Sequence, residues 1–191
     1  MELQDYLLLI CACLIVCFVL SFVINKLKER IIYDEIESFC EKKNLKYTKV
    51  TNERYDCILE NDQIIIYLAI VRIKDNSSVT INSKNTWCLR YGGKRQGRNY
   101  PNKRYLNELK PFLSFNPNKN NQKEIYRVVV FHPGTEIILR YLNESEIMEV
   151  KPENVTYGFK AIKYQDLFEK FDELLINNKK DNNNPYYNKL K

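Results

Sequence analysis

Six cations crowd one short stretch of this chain with no acid among them: Arg90, Lys94, Arg95, Arg98, Lys103 and Arg104. Tyr91, Tyr100 and Tyr105 are interleaved with them. Guanidinium and ammonium groups grip phosphate oxygens, and tyrosine rings offer faces on which bases stack. DNA or RNA is one partner such a patch could take. The competing explanations are a solvated basic loop, or one drawn to anionic lipid headgroups. A net charge of +6 over 191 residues suits any of these without selecting one.

Other chemistries find too few residues. The one histidine, His132, rules out a histidine-based zinc site unless cysteines dominate it. The six cysteines, at 11, 13, 17, 40, 57 and 88, lack metal-ligand spacing and suit unpaired thiols in a reducing compartment. Ser/His/Asp catalysis would need His132 and has no nucleophile motif beside it. Gly92-Gly93-Lys94 lacks the rest of a phosphate loop.

The patch must be positioned by a folded domain, and the chain opens with something else. Tyr6 to Ile24 runs for 19 residues without a charge. As a helix it would be roughly 29 Å long, close to a bilayer's hydrocarbon thickness. Glu2 and Asp5 precede it, so it does not look like a cleaved signal. Lys26, Lys28 and Arg30 follow it, and the positive-inside rule puts what comes next in the cytoplasm. The expectation is a single-pass membrane protein: an anchor over 1–26 in contact with lipid, a cytoplasmic domain over 27–176, and a disordered Asn/Lys-rich tail over 177–191.

Within the domain, Ile31, Ile32, Ile36 and Phe39 make one helical stripe over 27–43. Strands are expected over 45–50, 55–59, 63–73 and 78–81, the third apolar on both faces and so central to a covered sheet. Pro101 is read as the start of a helix over 102–112. The apolar run 125–131 is a second buried strand, with further strands over 136–142, 147–150 and 157–162. An amphipathic helix over 165–176 closes the domain. That order predicts an α/β fold, a mixed sheet with helices on both faces.

Asp56 heads a strand, an apolar strand follows, then Trp87, then Asn99-Tyr100-Pro101, then VVVF at 128–131. In this order the chain resembles the nuclease-related domain (NERD) family of the restriction-endonuclease-like fold, over 31–131. The resemblance implies an Asp and, thirteen residues on, a Glu-x-Lys that hold a divalent metal and handle the attacking water. Asp56 falls on the Asp, but Ala69 and Val71 stand where the Glu and Lys belong, and Arg104 stands where the family has a helix Gln. Asp56 is then a catalytic remnant, or a strand-end residue satisfying turn amides. A nucleic-acid-binding pseudoenzyme with no cofactor is the leading expectation.

A literal Glu-x-Lys does exist at Glu149-Val150-Lys151, with Glu136 thirteen residues before it. It lies after the VVVF strand and is the second choice of site. It corresponds to an active nuclease that would require Mg²⁺. The third alternative is a tethered module for an unknown protein partner.

Overall fold

The computed structural model describes residues 3–50, 54–74, 76–92, 102–117, 122–143 and 146–176, the side chains of 3–9 and 11 excepted. The chain divides into two compact units, Met1–Asn44 and Leu45–Lys191.

The first unit is one helix, α1 (Leu3–Lys42). It runs unbroken from the apolar stretch through Lys26, Lys28, Glu29 and Arg30, with Lys26–Glu29 and Arg30–Asp34 ion pairs on its surface. Its later turns bury Ile32, Ile36, Phe39 and Cys40, while Leu14, Phe18 and Phe22 are exposed. The expected transmembrane helix has to be corrected. Among the described residues no helix is long and apolar enough to cross a membrane. This argues against the expected single-pass placement.

The second unit also departs from the expected single sheet. It contains two five-stranded mixed sheets. The first has the order β1 (Lys46–Lys49), β2 (Cys57–Glu60), β3 (Ile64–Arg72), β7 (Glu124–His132), β10 (Lys160–Lys163). The first three form an antiparallel meander, and β3, β7 and β10 run parallel. The second has the order β6 (Asn102–Tyr105), β5 (Thr86–Tyr91), β4 (Ser77–Ser83), β8 (Ile137–Tyr141), β9 (Ile147–Glu149). Here only β4 and β8 are parallel.

The first sheet follows from its sequence. Its strands are rich in Ile and Val, whose branched side chains suit a pleated surface. The β2–β3 hairpin is closed by Asn61, whose Oδ1 accepts from the amides of Gln63 and Ile64 at 2.8 and 2.9 Å. Ala69, Val71, Val129, Phe131 and Ala161 face the other sheet and share one core with its Val79, Ile81, Trp87, Leu89 and Ile138. The opposite face buries Leu59, Ile66, Leu68, Val128, Val130 and Ile162. There α3 (Tyr164–Glu169) packs on β7 and β10. The first sheet is thus covered on both sides, as its near-continuous apolar strands require.

The helices are shorter than expected. Position 102 begins a strand rather than a helix, because Asn102 to Tyr105 pair along β5. Helical structure is confined to a 3-10 turn at Asn107–Leu109 and α2 (Lys110–Ser114), which bury Leu109, Phe112 and Leu113 in the shared core. The closing helix breaks at Lys170, whose φ of −122° and ψ of 32° leave the helical region, so α3 is followed by a separate α4 (Phe171–Leu174).

Candidate nucleic-acid interface

Alternation along β5 and β6 sets which side chains meet. In β5, Trp87 and Leu89 point into the core, so Cys88 and Arg90 lie on the opposite face, where Cys88 is buried and Arg90 exposed. The register then puts Arg90 directly opposite Lys103 and Cys88 opposite Tyr105. Ser78 of β4 continues the row beyond Arg90. Arg90 and Lys103 are both exposed, and Lys103 Nζ lies 5.0 Å above the ring of Tyr105. On the adjoining loop, Lys74 Nζ lies 5.1 Å from the ring centre of Tyr91. Cations held over aromatic rings at a sheet margin form a surface suited to phosphate and flat rings.

The six basic residues are not all brought together. Arg104 is on β6 but its Nη1 is 2.7 Å from Glu108 Oε1, an exposed ion pair that compensates its charge. Lys94, Arg95 and Arg98 lie outside the described residues, as does the expected disordered tail.

The positions to which the resemblance assigned nuclease chemistry are brought together, but in a form that suits structure. The amide of Asp56 donates to Leu68 O, one step beyond the Cys57–Leu68 pair, so Asp56 lies beside Ala69. Its Oδ2 accepts from the amide of Ile70 at 2.6 Å. Asp56 therefore satisfies a backbone donor where β2 meets β3, on the strand across the hairpin. Ala69 and Val71 are buried in the core between the sheets, where a Glu or Lys would have to be desolvated.

The second-choice set divides. Glu149 is paired with Leu139 in β9–β8, and Lys151 follows at the same parity, its amide bonded to Asn154 Oδ1. Glu136 precedes β8 at the opposite parity, and its carbonyl accepts from Lys163 Nζ at 2.8 Å. No group of three His, Cys, Asp or Glu side chains that could hold a metal occurs among the described residues.

Several polar groups of consequence were not expected. Between the end of the β5–β6 ladder and α2 is a cavity of about 260 Å³ whose lining includes Asn85, Trp87, Tyr105, Asn107 and Lys110. The lone tryptophan and Tyr105 stood out in the sequence, whereas the two asparagines and Lys110 carried no signal. In the first sheet Lys160 is buried, its Nζ donating to Pro152 O, Glu153 O and Ile176 O at 3.3, 3.1 and 2.9 Å. Burial draws its pKa down to about 8, against the pull of Glu153. Arg127 stacks 4.1 Å from the ring centre of Phe159 and donates to Phe115 O and Gly158 O. A cation set inside an apolar strand, as in YRVVVF, was the available clue to such struts.

No family model, curated protein or solved structure matches the chain.

Proposed function

We propose that the sheet unit binds nucleic acid through its sugar–phosphate backbone, with Arg90 and Lys103 as the central contacts, and does not hydrolyse it. One observation carries this reading: the ladder sets those two cations directly opposite each other. Like charges at such a position repel and weaken the pairing. Among the described residues neither has an ion-pair partner, whereas Arg104 beside them does. A phosphate between them turns a local cost into a binding contact. The remnant nuclease position supports the absence of cleavage, since Asp56 is bonded to a backbone amide and Ala69 and Val71 belong to the core.

Salt dependence tests it. Each phosphate neutralised contributes about 0.7 to the log–log slope of affinity against salt on a single strand. Arg90→Ala with Lys103→Ala removes the grip on that one phosphate, and should flatten the slope by about 0.7 and weaken unrelated sequences alike. With Mg²⁺ or Mn²⁺ present, the wild type should cleave no faster than Asp56→Ala. No measurable DNA or RNA binding at low salt would overturn the reading, and so would an unchanged slope in the double variant.

A further inference from the structure

We infer that the cavity at the end of the β5–β6 ladder is a nucleobase pocket, so that the ligand is a single strand rather than a duplex. The inference rests on the phosphate-binding reading above and adds what that surface selects. The cavity's volume of about 260 Å³ is just below the range of roughly 300–1,000 Å³ typical of sites for drug-sized ligands. It is matched to one planar ring system rather than to a whole nucleotide. Its lining has the chemistry such a ring needs. Tyr105, 50% exposed, supplies the aromatic surface, and Trp87, 2% exposed, closes the lining from the core side. Asn85 and Asn107 each offer a carbonyl acceptor and an amide donor, the two functions a base edge presents in return. Lys110 adds a positive charge to the lining. Among the described residues the side chains of Asn85, Asn107 and Lys110 make no hydrogen bond or ion pair, so those groups are available.

Position joins this cavity to the phosphate contacts. Tyr105 is two residues along β6 from Lys103 and on the same face, a step of about 6.8 Å. A strand whose phosphate lies between Arg90 and Lys103 can therefore turn the adjacent base toward Tyr105. In a duplex that base is stacked and paired, and its edge cannot enter a protein cavity. A single strand can splay the base out.

Trp87 is the protein's one tryptophan, so intrinsic fluorescence reports on the cavity without a label. The full chain is titrated with an oligoadenylate of about ten nucleotides, with an abasic phosphodiester chain of the same length, and with a duplex. Stacking contributes roughly 1–3 kcal/mol per base, so the oligoadenylate should bind about 5- to 150-fold more tightly than the abasic chain. It should also change Trp87 emission, while the abasic chain binds with the same salt slope and leaves the emission unaltered. Tyr105→Ala should abolish the preference for bases and keep the salt slope, and Tyr105→Phe should retain both. Equal affinity for the base-bearing and abasic chains would overturn the pocket and leave backbone binding standing. A duplex bound as tightly as the single strand, or saturation without a Trp87 response, would do the same. Failure of all three ligands to bind would overturn the backbone reading itself.

Discussion

The two sheets of the second unit have the same number of strands and share one core, yet they differ in what their second faces do. In the first sheet that face buries Leu59, Leu68, Val130 and Ile162, and its buried cation, Lys160, is enclosed by three carbonyl oxygens. In the second sheet the corresponding face buries Ser78, Thr80 and Cys88, and presents Arg90, Lys103 and Tyr105 to solvent at its β5–β6 margin. A sheet closed on both sides can hold a charged group only by surrounding it with partners. A sheet with an exposed margin can keep charges there that are poorly matched to one another. Asp56, Ala69 and Val71 lie in the closed sheet, and the basic row lies at the exposed margin of the other.

The contrast can be broken from the closed side first. Ala69→Glu restores a carboxylate beside Asp56 but buries it in the core, and should destabilise the protein by about 4 kcal/mol in urea unfolding. A stable Ala69→Glu protein that gains stability with Mg²⁺ would instead show that the hairpin still accepts a metal. Lys160 gives the next effect. Its folded pKa of about 8 lies below the ordinary value of 10.5. Between those values the unfolded chain binds more protons, so this group adds stability as pH rises from about 8 and loses it as pH falls back through 8. At pH 9.5 the wild type should have gained about 2 kcal/mol relative to its own stability at pH 7, compared with the same change in Lys160→Met.

A smaller loss is expected at Gly158, where φ is +81° and an added Cβ would lie 2.7 Å from Arg127 Nη2. Gly158→Ala should cost about 1.5 kcal/mol, through backbone strain and displacement of the guanidinium from Gly158 O. The open face should barely respond. Arg90→Ala with Lys103→Ala should change stability by less than about 0.5 kcal/mol, with a slight gain from removing the like-charge pair. A large loss there would show that the row belongs to the core scaffold, not to a surface kept for a ligand.

The closed sheet was far easier to read in the sequence than the open one. Runs such as IIIYLAIV and YRVVVF carry branched apolar residues at consecutive positions, and β3 and β7 lie where those runs do. In β5, Trp87 and Leu89 alternate with Cys88 and Arg90, a pattern hidden by the glycines that follow it. Every residue of β6 is exposed, so no apolar period marks it, and Pro101 before it suggested a helix instead. The break at Lys170 has no glycine or proline to announce it. As for the site, Arg90 and Lys103 could be named from charge alone. Their face-to-face placement depends on strand register, which the sequence of this stretch does not specify. Asp56 was correctly placed at a strand head, but its bond to Ile70 depends on the hairpin pairing.

The ladder order also determines where each sheet stops. β1 closes one side of the first sheet with Lys46 and Lys49, and β6 closes one side of the second with Lys103 and Arg104. Unpaired strand borders invite a second copy to add itself, and lysine at the border is a common deterrent because like charges would meet. On β6 the deterrent and the proposed ligand contact are one residue. If a phosphate binds at Lys103 as proposed, it would lift the repulsion along that border, so the concentration at which copies of the chain stay apart would become a property of the loaded state as well as of the protein.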